Sequence, residues 1–237
     1  MSNGKIFYNN LITNSTLSVS SEAEGFEKEY LVNKNQGVVW RSTGINENII
    51  QMSFDSTTAI KGMVVLNHNL ESGDTFYLEA SADNFPTTAQ SQAVDPGKGF
   101  IEVNWNYQYY RLRLQKTSGD YIQVGEIYLI GSSYEFDRNF KWNYSYTREI
   151  NRNSKQTTSG QVYRKTRFIR KGFDLEFDGM TDTQKENFES ISESDYICFL
   201  PNGSSGDLYY GIVDFSTYTH VYTNYWNASV NFMENPK

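Results

Sequence analysis

The sequence predicts a mainly β protein built as two successive β-rich units. Three observations carry that expectation. Apolar residues recur at every second position in most segments, the spacing of a half-buried strand. Glycine, proline and short polar clusters interrupt those segments. Only one stretch, just after residue 180, carries a helix-start pattern. The pattern changes near residue 132, where one set of strands closes and an aromatic-rich set begins, so the expected units are 1–132 and 133–237.

In the first unit, Met63-Val64-Val65-Leu66 is a continuous apolar run between Gly62 and Asn67-His68-Asn69, the pattern of a strand buried on both faces. Thr75 to Ala80 alternates, with Phe76, Leu78 and Ala80 on one side and Thr75, Tyr77 and Glu79 on the other. Tyr110, Leu112 and Leu114 share an inner face opposite Arg111, Arg113 and Gln115, and Ile127 and Leu129 repeat the pattern against Glu126, Tyr128 and Ile130. The stretch from Asp83 to Gly99 holds Pro86 and Pro96 and is expected to be a loop, because proline cannot donate to a central ladder. Several short strands of this kind make a β-sandwich.

The second unit opens with Phe140, Trp142, Tyr144 and Tyr146 at period two, followed by the polar tip Asn151 to Gly160 and a returning strand, which predicts a hairpin over about 140–168. Phe173, Leu175 and Phe177 alternate with Asp174, Glu176 and Asp178. Thr181-Asp182-Thr183-Gln184 is a capping-box sequence, with Thr181 as cap and Gln184 reaching back. It predicts a helix over about 182–192 whose apolar stripe is Phe188 and Ile191. Strands Tyr196 to Leu200, Tyr209 to Phe215 and Ala228 to Met233 close the chain, the first two linked by a turn at 202–207.

Composition narrows the function. With 237 residues, each half can bury a core of its own. The lone Cys198 sits in an apolar strand as a small core residue and rules out an internal disulfide. Met1 to Lys5 lacks the apolar run of a signal peptide, and no segment reaches membrane-spanning length. A net charge of −7 disfavours non-specific nucleic-acid binding by the whole chain. The two histidines, His68 and His220, lie in polar contexts, and the chain has no Cys-x-x-Cys, His-x-x-x-His, Gly-x-Ser-x-Gly or phosphate-loop spacing. The expectation is therefore no enzyme, no cofactor and no metal.

The run from Arg138 to Lys171 is the sharpest local asymmetry, ten Lys and Arg against the single acid Glu149. Complementary charge fixes orientation between subunits. Arg148, Arg152, Arg164, Lys165, Arg167 and Arg170 are the candidate oligomer-interface residues on that ground. Contact with DNA and a plain solvated edge are the alternatives.

Several elements carry a family resemblance. Glu29-Tyr30-Leu31-Val32-Asn33, Val39-Trp40-Arg41-Ser42, Ile49 to Phe54, Tyr77 to Asp83, Tyr110 to Leu114 and Glu126 to Gly131 occur in the order of the discoidin-type (coagulation factor type C) modules. The first unit thus resembles that branch of the galactose-binding-like jelly rolls. The resemblance implies ligand binding by loops at one end of the sandwich, with Trp40, Arg41, His68, Asn69, Trp105 and Tyr107 as glycan-binding candidates. Trp40 and Trp105 read equally well as core plugs. Some members of that family hold Ca²⁺ in a loop, and Asp83, Asp95 and Asp120 are loop carboxylates here, but their spacing does not support a site.

The second unit is similar to the small barrel-plus-helix domain of phage distal tail and minor tail proteins, through Phe173 to Phe177, the helix, Gly211 to Phe215 and Trp226 to Glu234. That resemblance implies a structural virion protein, assembled in the host cytoplasm. It would form a homo-oligomeric ring, hexameric by analogy, at a tail tip or baseplate. Its partners would be other tail proteins and a host surface glycan, with DNA only as passing cargo and no membrane. The alternative is a carbohydrate-binding surface or secreted protein without catalytic activity.

Overall fold

The computed structural model describes residues 3–137, 140–141, 145–202 and 207–235. Arg138, Trp142, Tyr144 and residues 203–206 of the expected turn lie outside the described residues. The protein is mainly β, and it divides into two compact units, Asn9–Ser133 and Met1–Tyr8 with Tyr134–Lys237. The opening strand β1 (Lys5–Asn10) explains the split N-terminus. Its Lys5, Ile6 and Phe7 pair with Leu200, Phe199 and Cys198, and Phe136 N donates to Gly4 O at 3.0 Å. Residues 3–8 thus sit with the second unit, although the sequence reading assigns them to the first.

The unit Asn9–Ser133 contains β2 (Thr16–Val19), β3 (Trp40–Arg41), β4 (Asn48–Leu66), β5 (Thr75–Ser81), β6 (Gln90–Ala93), β7 (Phe100–Gln115), β8 (Gln123–Val124) and β9 (Glu126–Glu135). All its pairings are antiparallel. Two strands are far longer than the short runs seen in sequence, because β4 and β7 each continue through register shifts and pair again beyond them. Asn48 to Ser53 of β4 pair with Leu114 to Tyr109 of β7, and β2, β5 and β6 extend this front sheet. After a register shift between Ser53 and Thr58, the same strands pair again through Thr58 to Val64 and Tyr107 to Phe100, with β9 alongside β4.

Bulges of this kind let a strand turn a corner and change sheets. At the corner stands Tyr110, fully buried, whose hydroxyl accepts from Tyr107 N at 2.8 Å and donates to Thr58 O at 2.6 Å. It supplies the hydrogen bonds that the broken ladder lacks, and burial pushes its pKa up to about 12.

The inner faces are those expected: Phe76, Leu78 and Ala80, and Tyr110, Leu112 and Leu114, lie in one apolar cluster with Ile50, Met52, Ile127 and Leu129. Strand β9 departs from alternation, since Glu126, Tyr128 and Ile130 are buried as well. β6 falls inside the stretch expected to be loop. Its sequence Gln-Ser-Gln-Ala is exposed throughout, an edge strand held by β5 without apolar residues to announce it.

The second unit contains β10 (Ser145–Gln156), β11 (Val162–Thr181), α1 (Asp182–Ser192), β12 (Ile197–Leu200), β13 (Tyr209–Tyr222) and β14 (Tyr225–Glu234). Its strand order is β10-β11-β14-β13-β12-β1. Among the described residues no pair joins β10 to β1. Helix α1 begins at the expected cap: Gln184 N donates to Thr181 Oγ1 and Thr181 N to Gln184 Oε1. It lays Phe188 and Ile191 on a core of phenylalanines, with Phe188 at 5.0 Å from the Phe177 ring and Phe136 at 5.1 Å from it. Edge-on and tilted rings at these distances are the favourable aromatic geometries.

Strand β11 is one element where two segments were expected. Its residues from Gly172 onward pair with β14, whereas those from Val162 to Lys171 pair only with β10. Residues 147–171 therefore form a two-stranded ribbon without a third strand among the described residues.

Candidate functional site

The loops beside the start of β4 and the end of β7 converge on Arg41. The two-residue strands β3 and β8 set its direction: Trp40 pairs with Val124, Arg41 with Gln123, and alternation sends the neighbouring side chains to opposite faces. Trp40 goes inward and is fully buried. Arg41 goes outward, where its guanidinium carbon stands 4.2 Å from the Phe26 ring centroid and 4.5 Å from that of Tyr121. Its Nε donates to Gln123 Oε1 at 3.1 Å. Two rings and one amide thus hold a planar cation whose terminal Nη groups have no hydrogen-bond partner among the described residues. Stacking and charge reinforce each other in this arrangement, which lysine cannot reproduce.

Asn69 buttresses the clamp. Its Nδ2 donates to Tyr121 O at 3.0 Å, and its Oδ1 accepts from Gln123 N at 2.8 Å. The same loop is anchored by Asp74, which accepts from Thr117 N and Glu71 N at 2.9 Å each and pairs with Lys116 at 3.3 Å, while Lys116 Nζ also donates to Asn69 O. Burial alone would raise the Asp74 pKa. The Thr117 and Glu71 N–H groups, the Thr117 hydroxyl and the Lys116 ammonium outweigh it and leave the carboxyl at about 2.

The structure brings together only part of the sequence-derived set. Arg41 and Asn69 meet through Tyr121 and Gln123. Trp40 lies beneath them in the core and presents no face to a ligand, which corrects its assignment as a stacking residue. His68 adjoins Asn69 in sequence, but its ring packs edge-on to Phe76 at 5.2 Å and its Nδ1 accepts from Leu70 N. Trp105 and Tyr107 are elsewhere. They pair with Ile60 and Thr58 on the far side of the corner, Trp105 packs on the core, and the Tyr107 hydroxyl accepts from Gln90. Seven strand positions separate Tyr107 from Leu114 at the loop end, about 20 Å along β7. They belong to no common pocket with Arg41.

Sequence reading missed Phe26, Tyr121 and Gln123. Two of them had a local signal: Phe26 follows Gly25, and Tyr121 follows the turn sequence Ser118-Gly119-Asp120, aromatic residues at loop positions with no strand pattern to bury them.

The other candidates stand apart. The expected interface residues Arg148, Arg152, Arg164, Lys165 and Arg167 are exposed on the β10–β11 ribbon, and among the described residues only Arg170 of that set has an acidic partner, Glu149 at 2.6 Å. Arg148 faces Lys171 directly across the strands, a like-charge pair that costs stability in isolation. Asp83 accepts from Ser81 Oγ and Asp95 from Gly97 N, each within its own turn. Among the described residues no group of three or more His, Cys, Asp or Glu side chains is placed to hold a metal ion. His220, on the second unit, lies against Trp226 at 4.6 Å. No helix among the described residues is long and apolar enough to cross a membrane.

No protein-family model matches the chain, and no curated protein matches it. Among solved structures, the chain is similar to the lectin-binding domain of Lectinolysin complexed with Lewis b (18% identity, 52% of this chain and 96% of that one, TM-score 0.42). It is also similar to chitosan-binding module 1 of a chitosanase/glucanase from Paenibacillus sp. IK-5 (18%, 52% and 98%, TM-score 0.42). A third is a fucose-binding module from Streptococcus pneumoniae (13%, 53% and 96%, TM-score 0.43). Each of these is a carbohydrate-binding or lectin module by its own description.

Proposed function

We propose that the unit Asn9–Ser133 is a non-catalytic carbohydrate-binding module whose binding site is the loop end around Arg41. The observation that supports this reading is the clamp itself: Phe26 and Tyr121 on either side of a guanidinium with unbonded Nη groups, 4.2 and 4.5 Å from the ring centroids. Saccharides offer C–H faces to aromatic rings and hydroxyl oxygens to N–H donors, and a site with few, fixed polar groups pays little ordering entropy on binding. A glycan array probed with the full chain tests the reading. Binding should weaken in Tyr121→Ala and Arg41→Lys, with melting temperature as the check on folding. Binding that is unchanged in both variants, or absent from every glycan, rejects it.

A second reading concerns the other unit. In this proposal the β10–β11 ribbon is an assembly arm that joins a second copy of the chain. The supporting observation is charge: residues 145–171 hold eight Lys and Arg against Glu149 alone, whereas the rest of that unit is acidic. Unsatisfied cations on an uncovered ribbon are a large self-repulsion, which an acidic neighbour removes. The expected ring at a phage tail tip or baseplate, with its other tail proteins, depends on this association. Replacing Arg164, Lys165 and Arg167 by Glu should abolish self-association in sedimentation runs at low salt. A chain that stays monomeric at high concentration removes both the arm and the ring.

A further inference from the structure

The outer face of the front sheet carries a second group of stacked arginines, separate from the Arg41 loops. On β7, Arg111 and Arg113 are two apart and point away from the core. They flank Glu79 of the neighbouring strand β5, which is 5% exposed and accepts from Arg111 Nε at 2.7 Å and from Arg113 Nε at 2.9 Å. Each guanidinium is covered by a ring: Phe85 lies 4.1 Å from Arg111, and Tyr77 lies 5.0 Å from Arg113.

Phe85 reaches its position at a conformational cost. Asn84 and Phe85 are both left-handed, with φ of 59° and 66°, a region that a bulky L residue enters only when its surroundings compel it. Two anchors compel it here. The buried Ser81 hydroxyl accepts from Asp83 N and Phe85 N, and Gln51 Nε2 donates to Asn84 Oδ1 at 2.7 Å.

Two guanidinium groups face the buried carboxylate of Glu79, and the exposed carboxylate of Glu47 lies 3.7 Å from Arg113 Nη1, an ion pair beyond hydrogen-bond distance. Nε of each arginine is spent on Glu79. Among the described residues the terminal amino groups make no hydrogen bond, and Arg111 and Arg113 remain 22% and 30% exposed. A purely structural ion triad would need neither the rings nor a strained loop to hold one of them in place.

We infer that this sheet face is a second binding site, for a sugar bearing a single oxyanion, a carboxylate or a sulfate. The oxyanion would accept from the Nη groups of Arg111 and Arg113, taking the place of the exposed Glu47 beside Arg113 Nη1, and the Phe85 and Tyr77 rings would flank the pyranose. Planar forks of this kind match carboxylate and sulfate oxygens, and Glu79 fixes their direction before the ligand arrives. The inference rests on the reading of this unit as a carbohydrate-binding module and adds a ligand class and a place to it.

Titration calorimetry of the full chain tests it with four probes: trigalacturonate, a singly sulfated chondroitin disaccharide, neutral maltotriose and inorganic sulfate. The two acidic sugars should bind, more weakly as salt rises, with maltotriose and sulfate far weaker. Phe85→Ala leaves the Glu79 pairs intact, and Arg113→Lys keeps the charge but not the fork. Arg113→Lys should weaken the acidic sugars by about tenfold or more, the loss of one charge-assisted hydrogen bond, and Phe85→Ala should weaken them through the lost ring contact. Arg41→Lys should leave them unchanged. If neither acidic sugar binds, if both variants bind them normally, or if inorganic sulfate binds as tightly as the sulfated sugar, the inference is overturned. Loss of acidic-sugar binding in Arg41→Lys alone would assign these ligands to the loop end and overturn it too. Acidic binding that tracks Phe85, beside an Arg41 with no effect on any glycan, would instead remove the first site and leave this one.

Discussion

Replacing Tyr110 by phenylalanine tests the corner on which the whole first unit turns. The substitution keeps the buried ring and removes one oxygen. That oxygen accepts from Tyr107 N and donates to Thr58 O, the two backbone groups left over where the β4–β7 ladder breaks between Ser53 and Thr58. An unsatisfied buried polar group costs about 1–3 kcal/mol, but Tyr107 and Thr58 are only half-buried, so water recovers part of the loss, and about 2 kcal/mol is expected for the pair. Hydrogen exchange followed by mass spectrometry is the suitable assay, because the two units need not unfold together. Protection should fall across β4 and β7 and stay unchanged in β11 to β14. A loss below about 0.5 kcal/mol would show that the hydroxyl is incidental and that side-chain packing alone bends the sheet.

Two further outcomes follow from other parts of the molecule. Asp74 has a folded pKa of about 2, below the unfolded value, so its contribution is complete above about pH 4 and disappears as the pH falls toward 2. With some discount for solvent screening this is about 1–2 kcal/mol, and Asp74→Asn should flatten that part of the acid-stability curve measured by urea unfolding. Thr181→Ala breaks the capping box of α1 and should cost about 1 kcal/mol, seen as lost exchange protection in 182–188, whereas Thr181→Ser should keep most of it.

How much of this was legible in the sequence depends on the range of the interaction. The α1 cap spans four residues and could be read directly, as could the inner faces of β5 and of the second half of β7, where alternation runs unbroken. The long strands could not be seen whole, because each bulge resets the parity: Ile60 and Met63 both face the core with an odd number of steps between them. β6 gave no sign because an edge strand paired on one side needs no apolar residue. The Arg41 site was half visible. Trp40 inward and Arg41 outward follow from one rule of alternation, but Gln123 is 82 positions away, and only the fold selects Phe26 and Tyr121 from the chain's many aromatics. The pairing of the first strand with Cys198 to Leu200 had no local signal at all.

The arginines show why the two units call for different proposals. The first unit has three, Arg41, Arg111 and Arg113, and every one lies over at least one aromatic ring and spends its Nε on a side chain of the same unit. Such groups have already surrendered much of their rotamer freedom on folding, so a ligand that uses their remaining N–H groups does not have to supply that ordering again. That is the economy of a small, specific site. On the β10–β11 ribbon, Arg148, Arg152, Arg164 and Arg167 have neither ring nor carboxylate among the described residues, and Arg170 alone is paired. Cations left in this state bind weakly one at a time and become useful only when many engage a broad opposite charge together, with strong dependence on salt. Raising the ionic strength should therefore act unequally on the two units. Association through the ribbon should be lost at salt concentrations where neutral-glycan binding at the Arg41 loops persists. If both decline in parallel, ring stacking contributes nothing to the loop site, and the distinction between the two kinds of arginine fails.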